Sequence, residues 1–253
     1  MSPRPFFPAL KISGFALLLA LTLSGPVPLS AQDAPAAPTY PHDFVGCPEF
    51  TTTAGKQSAG TASVIKLSDG FQSYIVSARH LLGPEGGFAK QADAKDVPTF
   101  VQSIKIQGFT GGSRSYSVDG LLVPATQLEP IGGTPIDDLA IYQLKDSSPQ
   151  DQAAPLAAKP PAVGETVWVV AEVRGGVPQG EIMHSAKVLD GDGWLRLQFD
   201  NDKIITNGAS GAPVLNAAGE VVGVYSGHSE KDGHKIAFVI PAALILSVIQ
   251  KSH

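Results

Sequence analysis

Short apolar segments, each fenced by turn-forming residues, constrain this chain more than any other feature. Stretches 60–67, 73–79, 100–107, 114–123, 138–144, 166–172, 181–189, 194–199, 212–216, 220–226 and 235–240 are rich in β-branched and aromatic side chains and bounded by Gly, Pro, Asp and Asn. Such side chains fit the pleated surface of a sheet, and the segments are too short for ordinary helices. Only the segment from 241 to about 251 has helical spacing, with a proline at its start and Leu244, Ile245 and Val248 on one face. About eleven strands and one terminal helix predict an all-β sandwich or a pair of barrels. Hydrophobic residues at 43% against 16% charged supply a packed core for either.

A Pro/Ala/Gln-rich stretch, SSPQDQAAPLAAKPPAVGE at 147–165, divides the chain and leaves five or six strands on each side, enough for one small barrel apiece. The expected organisation is a signal peptide at 1–31, an Ala/Pro-rich linker at 32–45, an N-terminal β-barrel at 46–150, and a C-terminal β-barrel with the terminal helix at 151–253. Residues 83–98, GPEGGFAKQADAKDVP, break the strand pattern and read as a surface insertion.

The N-terminus reads as a secretory signal. Arg4 and Lys11 are its only charges, residues 12–23 are mostly apolar, Gly25 and Pro26 follow, and Ala31 is a small residue at the cleavage position. That apolar run is shorter than the roughly 20 residues needed to span a bilayer. A secreted or periplasmic location without membrane attachment is therefore expected after cleavage. The net charge of −5 becomes more negative once the two basic residues are removed, and nothing suggests the basic face that a nucleic-acid partner would require. Cys47 is the single cysteine, which excludes an internal disulfide.

The sequence TNGASGAPVLN at 206–216 places Ser210 at the apex of a glycine-bracketed turn. Serine becomes a competent nucleophile only when a base accepts its proton, and histidine has the pKa for that role. Of six histidines, His80 stands out because it closes the apolar strand Tyr74-Ile75-Val76-Ser77-Ala78-Arg79, where a sheet can hold it beside a cleft. Asp137 and Asp138 open the segment IDDLAIYQL, and alternation lets only one of the two face inward. DGDG at 190–193 lacks calcium-ligand spacing, and His228, Glu230, Asp232 and His234 surround a DG turn, so neither group predicts a metal site.

These residues carry a resemblance. Ser77-Ala78-Arg79-His80 is similar to the Thr/Ser-Ala-x-His motif of trypsin-like (chymotrypsin-fold) serine peptidases. Asp138-Leu139-Ala140-Ile141 resembles their Asp-Ile/Leu-Ala-Leu/Ile strand, and Gly208-Ala209-Ser210-Gly211-Ala212-Pro213-Val214 resembles their Gly-Asp/Asn-Ser-Gly-Gly-Pro-Val turn. The order His, Asp, Ser is that of the family. Glu220-Val221-Val222-Gly223-Val224 and Ile236-Ala237-Phe238-Val239-Ile240-Pro241 look most like its bacterial secreted HtrA-like and glutamyl-endopeptidase-like branch, here without a PDZ domain.

The resemblance implies two six-stranded antiparallel β-barrels with the active site between them. His80 would be the general base, Asp138 its orienting partner and Ser210 the nucleophile, with the N–H groups of Gly208 and Ser210 as the oxyanion hole. Ile204, Tyr225, Ser226 and Gly227 would line the substrate pocket, and the absence of a carboxylate among them implies an apolar or small residue before the cut. The partner implied is a polypeptide substrate, and no cofactor is called for. Two positions depart from the pattern. Ala209 stands in place of Asp or Asn, which removes the partner of a zymogen-type N-terminal ion pair; it also removes hydrogen bonds that can hold the oxyanion turn, which favours the alternative reading as a catalytically weak or inactive protein-binding module. Ala212 stands in place of a second glycine.

Overall fold

Residue-by-residue alternation builds two rings of strands. The computed structural model describes residues 35–40, 44–67, 72–92, 97–122, 134–145, 153–191 and 193–252. The signal peptide expected at 1–31 lies outside these residues, as does much of the linker expected at 32–45.

The first ring is made of β1 (Val45–Thr52), β3 (Ala62–Lys66), β4 (Ser73–Ala78), β5 (Val101–Gly108), β6 (Ser113–Leu121) and β7 (Leu139–Leu144), with β2 (Gly55–Ser58) turned back on β1. Strand order β1-β5-β6-β7-β4-β3 closes on itself because β3 also pairs with β1, through Val45↔Ser63 and Gly46↔Ala62. A two-residue strand β8 (Ala154–Pro155) then adds in parallel to β3. The second ring is a closed barrel of β9 (Thr166–Val170), β10 (Met183–Asp190), β11 (Leu195–Phe199), β12 (Pro213–Leu215), β13 (Val221–Lys231) and β14 (His234–Pro241), in the order β10-β11-β14-β13-β12-β9. One helical turn, α1 (Val97–Phe100), precedes β5, and α2 (Ala242–Lys251) follows β14 directly. Closure removes the open edges of the second ring, and in the first the short β1–β3 seam leaves edge segments that β2 and β8 cover.

The two-residue period of the second ring divides its side chains between two cores. Val167 and Val169 of β9, Val214 of β12, and Val222 and Tyr225 of β13 fill the second barrel with Leu197, Phe199 and Ala237. Their strand neighbours Val170, Leu215, Val221 and Val224 face the other way and join the larger core of the first barrel. Ile245, Val248 and Ile249 of α2 enter that same core, so the predicted helical stripe is what docks the chain's end. Both rings belong to one unit from Pro35 to His253.

Beyond the short added strands β2 and β8, three local features differ from expectation. The sequence pattern predicts no strand at β1, where Pro48 sits mid-strand. Proline is tolerated there because β3 pairs only with Val45 and Gly46 and β2 only from Glu49 onward, which leaves Pro48 at a gap on that edge. β13 runs five residues beyond the expected end at 226, pairing with β14 as far as Lys231↔His234, with Asp232 in left-handed backbone at the turn. Its outer half is polar and exposed, so hydrophobic periodicity could not mark it. In the described part of the stretch expected as a surface insertion, Pro84, Glu85, Gly87, Ala89 and Lys90 are exposed, but Phe88 is buried, its ring meeting Phe100 edge-on at 5.5 Å, and Ala92 is buried too.

Barrel closure makes a measurable demand on Gly46. A Cβ at this position would lie 2.0 Å from the carbonyl oxygen of Gln107 on β5, while the same residue pairs with β3. Gly46→Ala is expected to cost about 1–3 kcal/mol through overpacking, lowering the thermal midpoint by roughly 3–10 °C. Gly191→Ala, whose Cβ meets nothing within 4 Å, serves as the control. Equal shifts in the two variants would contradict this account of closure.

Candidate active site

The apolar run of β4 ends at Ala78, and a single 3₁₀ turn, Arg79–Leu82, carries His80 off the end of the strand. The neighbouring strand β7 begins at Leu139, opposite Ala78, just after a second 3₁₀ turn at Pro135–Asp138. The pairing of β4 with β7 therefore sets His80 beside Asp137 and Asp138.

The two carboxylates separate. Asp137 Oδ2 accepts from the backbone N–H of Thr134 at 2.6 Å and from its hydroxyl at 3.0 Å, closing a capping box on its own turn. Asp138 points to the histidine. Its Oδ1 accepts the backbone N–H of His80 at 2.9 Å, and Nδ1 of the ring lies 3.0 Å from Oδ1 and 2.9 Å from Oδ2. The hydroxyl of Ser226, on β13 of the second barrel, donates to Oδ2. An acceptor at Nδ1 fixes the proton there and leaves the lone pair on Nε2.

Ser210 sits in the turn that leads into β12. The amide of Ala209 donates to Thr206 O at 2.9 Å, that of Gly211 to Tyr225 O at 2.7 Å, and that of Ala212 to Ala209 O at 2.8 Å. Gly208 and Gly211 have φ of 100° and 85°, left-handed values that favour glycine. Among the described residues the N–H groups of Gly208, which is exposed, and of Ser210, which is half-buried, meet no acceptor. The methyl of Ala209 is fully buried in the second core. The hydroxyl of Ser210 donates to the carbonyl of Ser226 at 3.4 Å.

His80, Gly208 and Ser210 line one cleft of about 530 Å³, together with Gln57, Ser58, Ala59 and Gly60 on one wall and Arg174 and Asn207 on another. Glu85, unmarked by any sequence motif, also lines it and places Oε2 3.6 Å from His80 Nε2. Of the residues expected at a substrate pocket, Ile204 and Tyr225 are about 1% exposed and belong to the second core. Burial pushes the Tyr225 hydroxyl up to about 12. Ser226 bridges Asp138 and Ser210. Gly227 is half-buried, with open space where a side chain would be. The polar residues around the DG turn diverge, His228 to Thr206 at 2.9 Å and His234 to Asp202 at 3.0 Å.

The chain matches the family described as trypsin-like peptidase domain over residues 60–224, more than half of its length. It belongs to that family. Solved protease structures share its fold. The serine endoprotease from Yersinia pestis is 18% identical with a TM-score of 0.53, over 83% of this chain and 63% of that one. The HtrA-type protease AlgW with tripeptide is 18% identical with a TM-score of 0.51, over 83% and 60%. The Rv3671c protease from M. tuberculosis in its active form is 17% identical with a TM-score of 0.50, over 85% and 88%. The chain thus spans less than two thirds of the length of the first two. No curated protein sequence matches it.

The surroundings of His80 set its titration. Burial of the ring opposes protonation, but the hydrogen bond and charge of Asp138, with the charge of Glu85 added, outweigh it and raise the pKa above the ordinary 6.5. NMR titration of the His80 imidazole should accordingly give a midpoint above 6.5, and Glu85→Gln should move that midpoint to lower pH by removing one of the raising charges. An unchanged or higher midpoint in Glu85→Gln would contradict the assigned contact.

Proposed function

We propose that this chain is a secreted serine endopeptidase that hydrolyses peptide bonds through His80, Asp138 and Ser210 and an acyl-enzyme intermediate. The observation that carries the reading is the convergence, in one cleft, of a carboxylate-oriented imidazole, a serine, and two amides with no acceptor. In this mechanism the Ser210 hydroxyl leaves its long 3.4 Å contact with Ser226 O for Nε2 of His80. Nε2 removes the hydroxyl proton as Oγ attacks the scissile carbonyl. The resulting oxyanion accepts from the N–H groups of Gly208 and Ser210, donors already fixed before charge develops. His80 then delivers the proton to the leaving amine, and water repeats the sequence on the acyl ester. Asp138 holds the imidazole tautomer throughout and stabilises the imidazolium.

The signal-like residues 1–31 support export, and a cut near Ala31 would yield the working enzyme. A buried ion pair with a new N-terminus is not part of the mechanism, because Ala209 offers only a methyl to the core. One observation favours the alternative reading as an inactive binding module: the Ser210 hydroxyl is bonded to Ser226, not to His80.

Turnover of a peptide library decides between the two. Ser210→Ala and His80→Ala should abolish hydrolysis, and Asp138→Asn should lower kcat on the order of 10⁴-fold, about 5 kcal/mol. Asp137→Asn should stay within a few-fold of wild type, since its carboxylate caps its own turn. Wild type should favour apolar or small residues before the cut. A wild-type chain that binds peptides without cleaving them supports the binding module, and an inactive Asp137→Asn beside an active Asp138→Asn overturns the assignment of the acid.

A further inference from the structure

We propose that Thr61, a residue of the first barrel, is the positioning residue that holds the oxyanion turn of the second. The inference rests on the reading of Ser210 as the nucleophile.

The turn cannot be held from position 209, where the only side-chain atom is a buried methyl. Three of its peptide planes are nonetheless fixed. The plane from Ala209 to Ser210 is pinned at its carbonyl by the amide of Ala212. The plane on either side of it is pinned at both ends, and in each case one end is Thr61. The hydroxyl of Thr61 donates to Gly208 O at 2.8 Å, opposite the bond from Ala209 N–H to Thr206 O. The amide of Thr61 donates to Ser210 O at 2.7 Å, opposite the bond from Gly211 N–H to Tyr225 O. With the carbonyls of Gly208, Ala209 and Ser210 committed, the plane that carries the Ser210 amide is set, and the Gly208 amide directly adjoins the first pinned plane.

The hydroxyl bond matters most because of what it restrains. Gly208 lacks a Cβ, so its backbone has little steric resistance to rotating the following peptide plane. Among the described residues, Thr61 supplies the one side-chain donor on that plane's carbonyl. Thr61 is itself rigid: it is fully buried, it is β-branched, and its carbonyl accepts the hydroxyl of Ser77 at 2.7 Å. Ser77 lies three residues before His80 on β4, so one chain of hydrogen bonds runs from the histidine's strand to the serine's turn. The two segments meet backbone to backbone. A Cβ on Gly60 would come within 2.6 Å of Ser210 O, and one on Gly211 within 2.1 Å of Thr61 O. No motif marks Thr61, because its role depends on a contact 147 residues away.

Thr61→Val keeps the shape and the backbone donor and removes only the hydroxyl, and Thr61→Ser keeps the hydroxyl. The test compares both with wild type, in the chain from Gln32, by steady-state kinetics, by affinity for a peptide aldehyde whose hemiacetal oxygen occupies the oxyanion site, and by NMR hydrogen exchange of the Ala209 and Ala212 amides. Thr61→Val should lower kcat by roughly 10–100-fold, a part of the loss that follows removal of an oxyanion donor. KM should stay within about threefold, aldehyde affinity should fall in step with kcat, and both amides should exchange at least about tenfold faster. Thr61→Ser should restore turnover and protection. Normal turnover in Thr61→Val, a change in turnover or exchange without the other, or a serine variant as impaired as valine overturns the proposal. If wild type hydrolyses no peptide, the reading of Ser210 fails, and exchange alone decides for Thr61: faster in valine supports it, unchanged overturns it. Should Thr61→Val not fold, wild-type protection in Thr61→Ser supports the role and its loss overturns it.

Discussion

A carboxylate buried between two barrels must find donors on both sides, and Asp138 does. It is only 3% exposed, where an unpaired charge would cost several kcal/mol. The donors come from the backbone and ring of His80 in the first barrel and from the hydroxyl of Ser226 in the second. Meeting that demand fixes the imidazole, and it ties the strand that carries Ser226, and whose Tyr225 carbonyl receives Gly211, to the seam. The geometry of the cleft therefore follows from an electrostatic constraint that either barrel alone would leave unmet.

The seam is equally a packing device. Strands β9, β12 and β13 present alternate residues to the second core and to the larger core of the first barrel, which also receives α2. A one-residue slip in any of them would exchange the two sets and bury both wrongly. Such a seam allows residues from opposite ends of the chain to be held at hydrogen-bond precision, as the contacts of Ser77, Thr61 and Gly208 illustrate. Ala209 contributes its methyl to this packing, and the turn it occupies is restrained by neighbours rather than by its own side chain.

Much of this was legible in the sequence because strong local patterns carried it. Most strands announced themselves by β-branched runs between turn residues, and His80, Asp138 and Ser210 stood in motifs whose order implied two barrels. What stayed hidden was non-local or unpatterned. Strand β1 was masked by a proline that only its partial pairing explains, and the outer half of β13 by its polarity. The motif pointed to Asp138 over Asp137, but alternation alone could not, because the two lie in a 3₁₀ turn rather than a strand and Asp137 is drawn off by a capping box at Thr134. Glu85 reaches His80 from a stretch with no apolar periodicity, and Ser226, expected near substrate, turns its hydroxyl to Asp138. Ile204 and Tyr225, expected beside the substrate, pack in the second core.

The central claim is that Ser210 is an activated nucleophile in a site formed without further processing. A fluorophosphonate probe, applied to the chain beginning at Gln32 and located by peptide mass mapping, tests it most directly. The account predicts one probe per chain, on Ser210, with labelling lost when His80 is replaced by alanine. Absence of labelling, labelling on another residue, or labelling that appears only after a cut within residues 43–60 would contradict it.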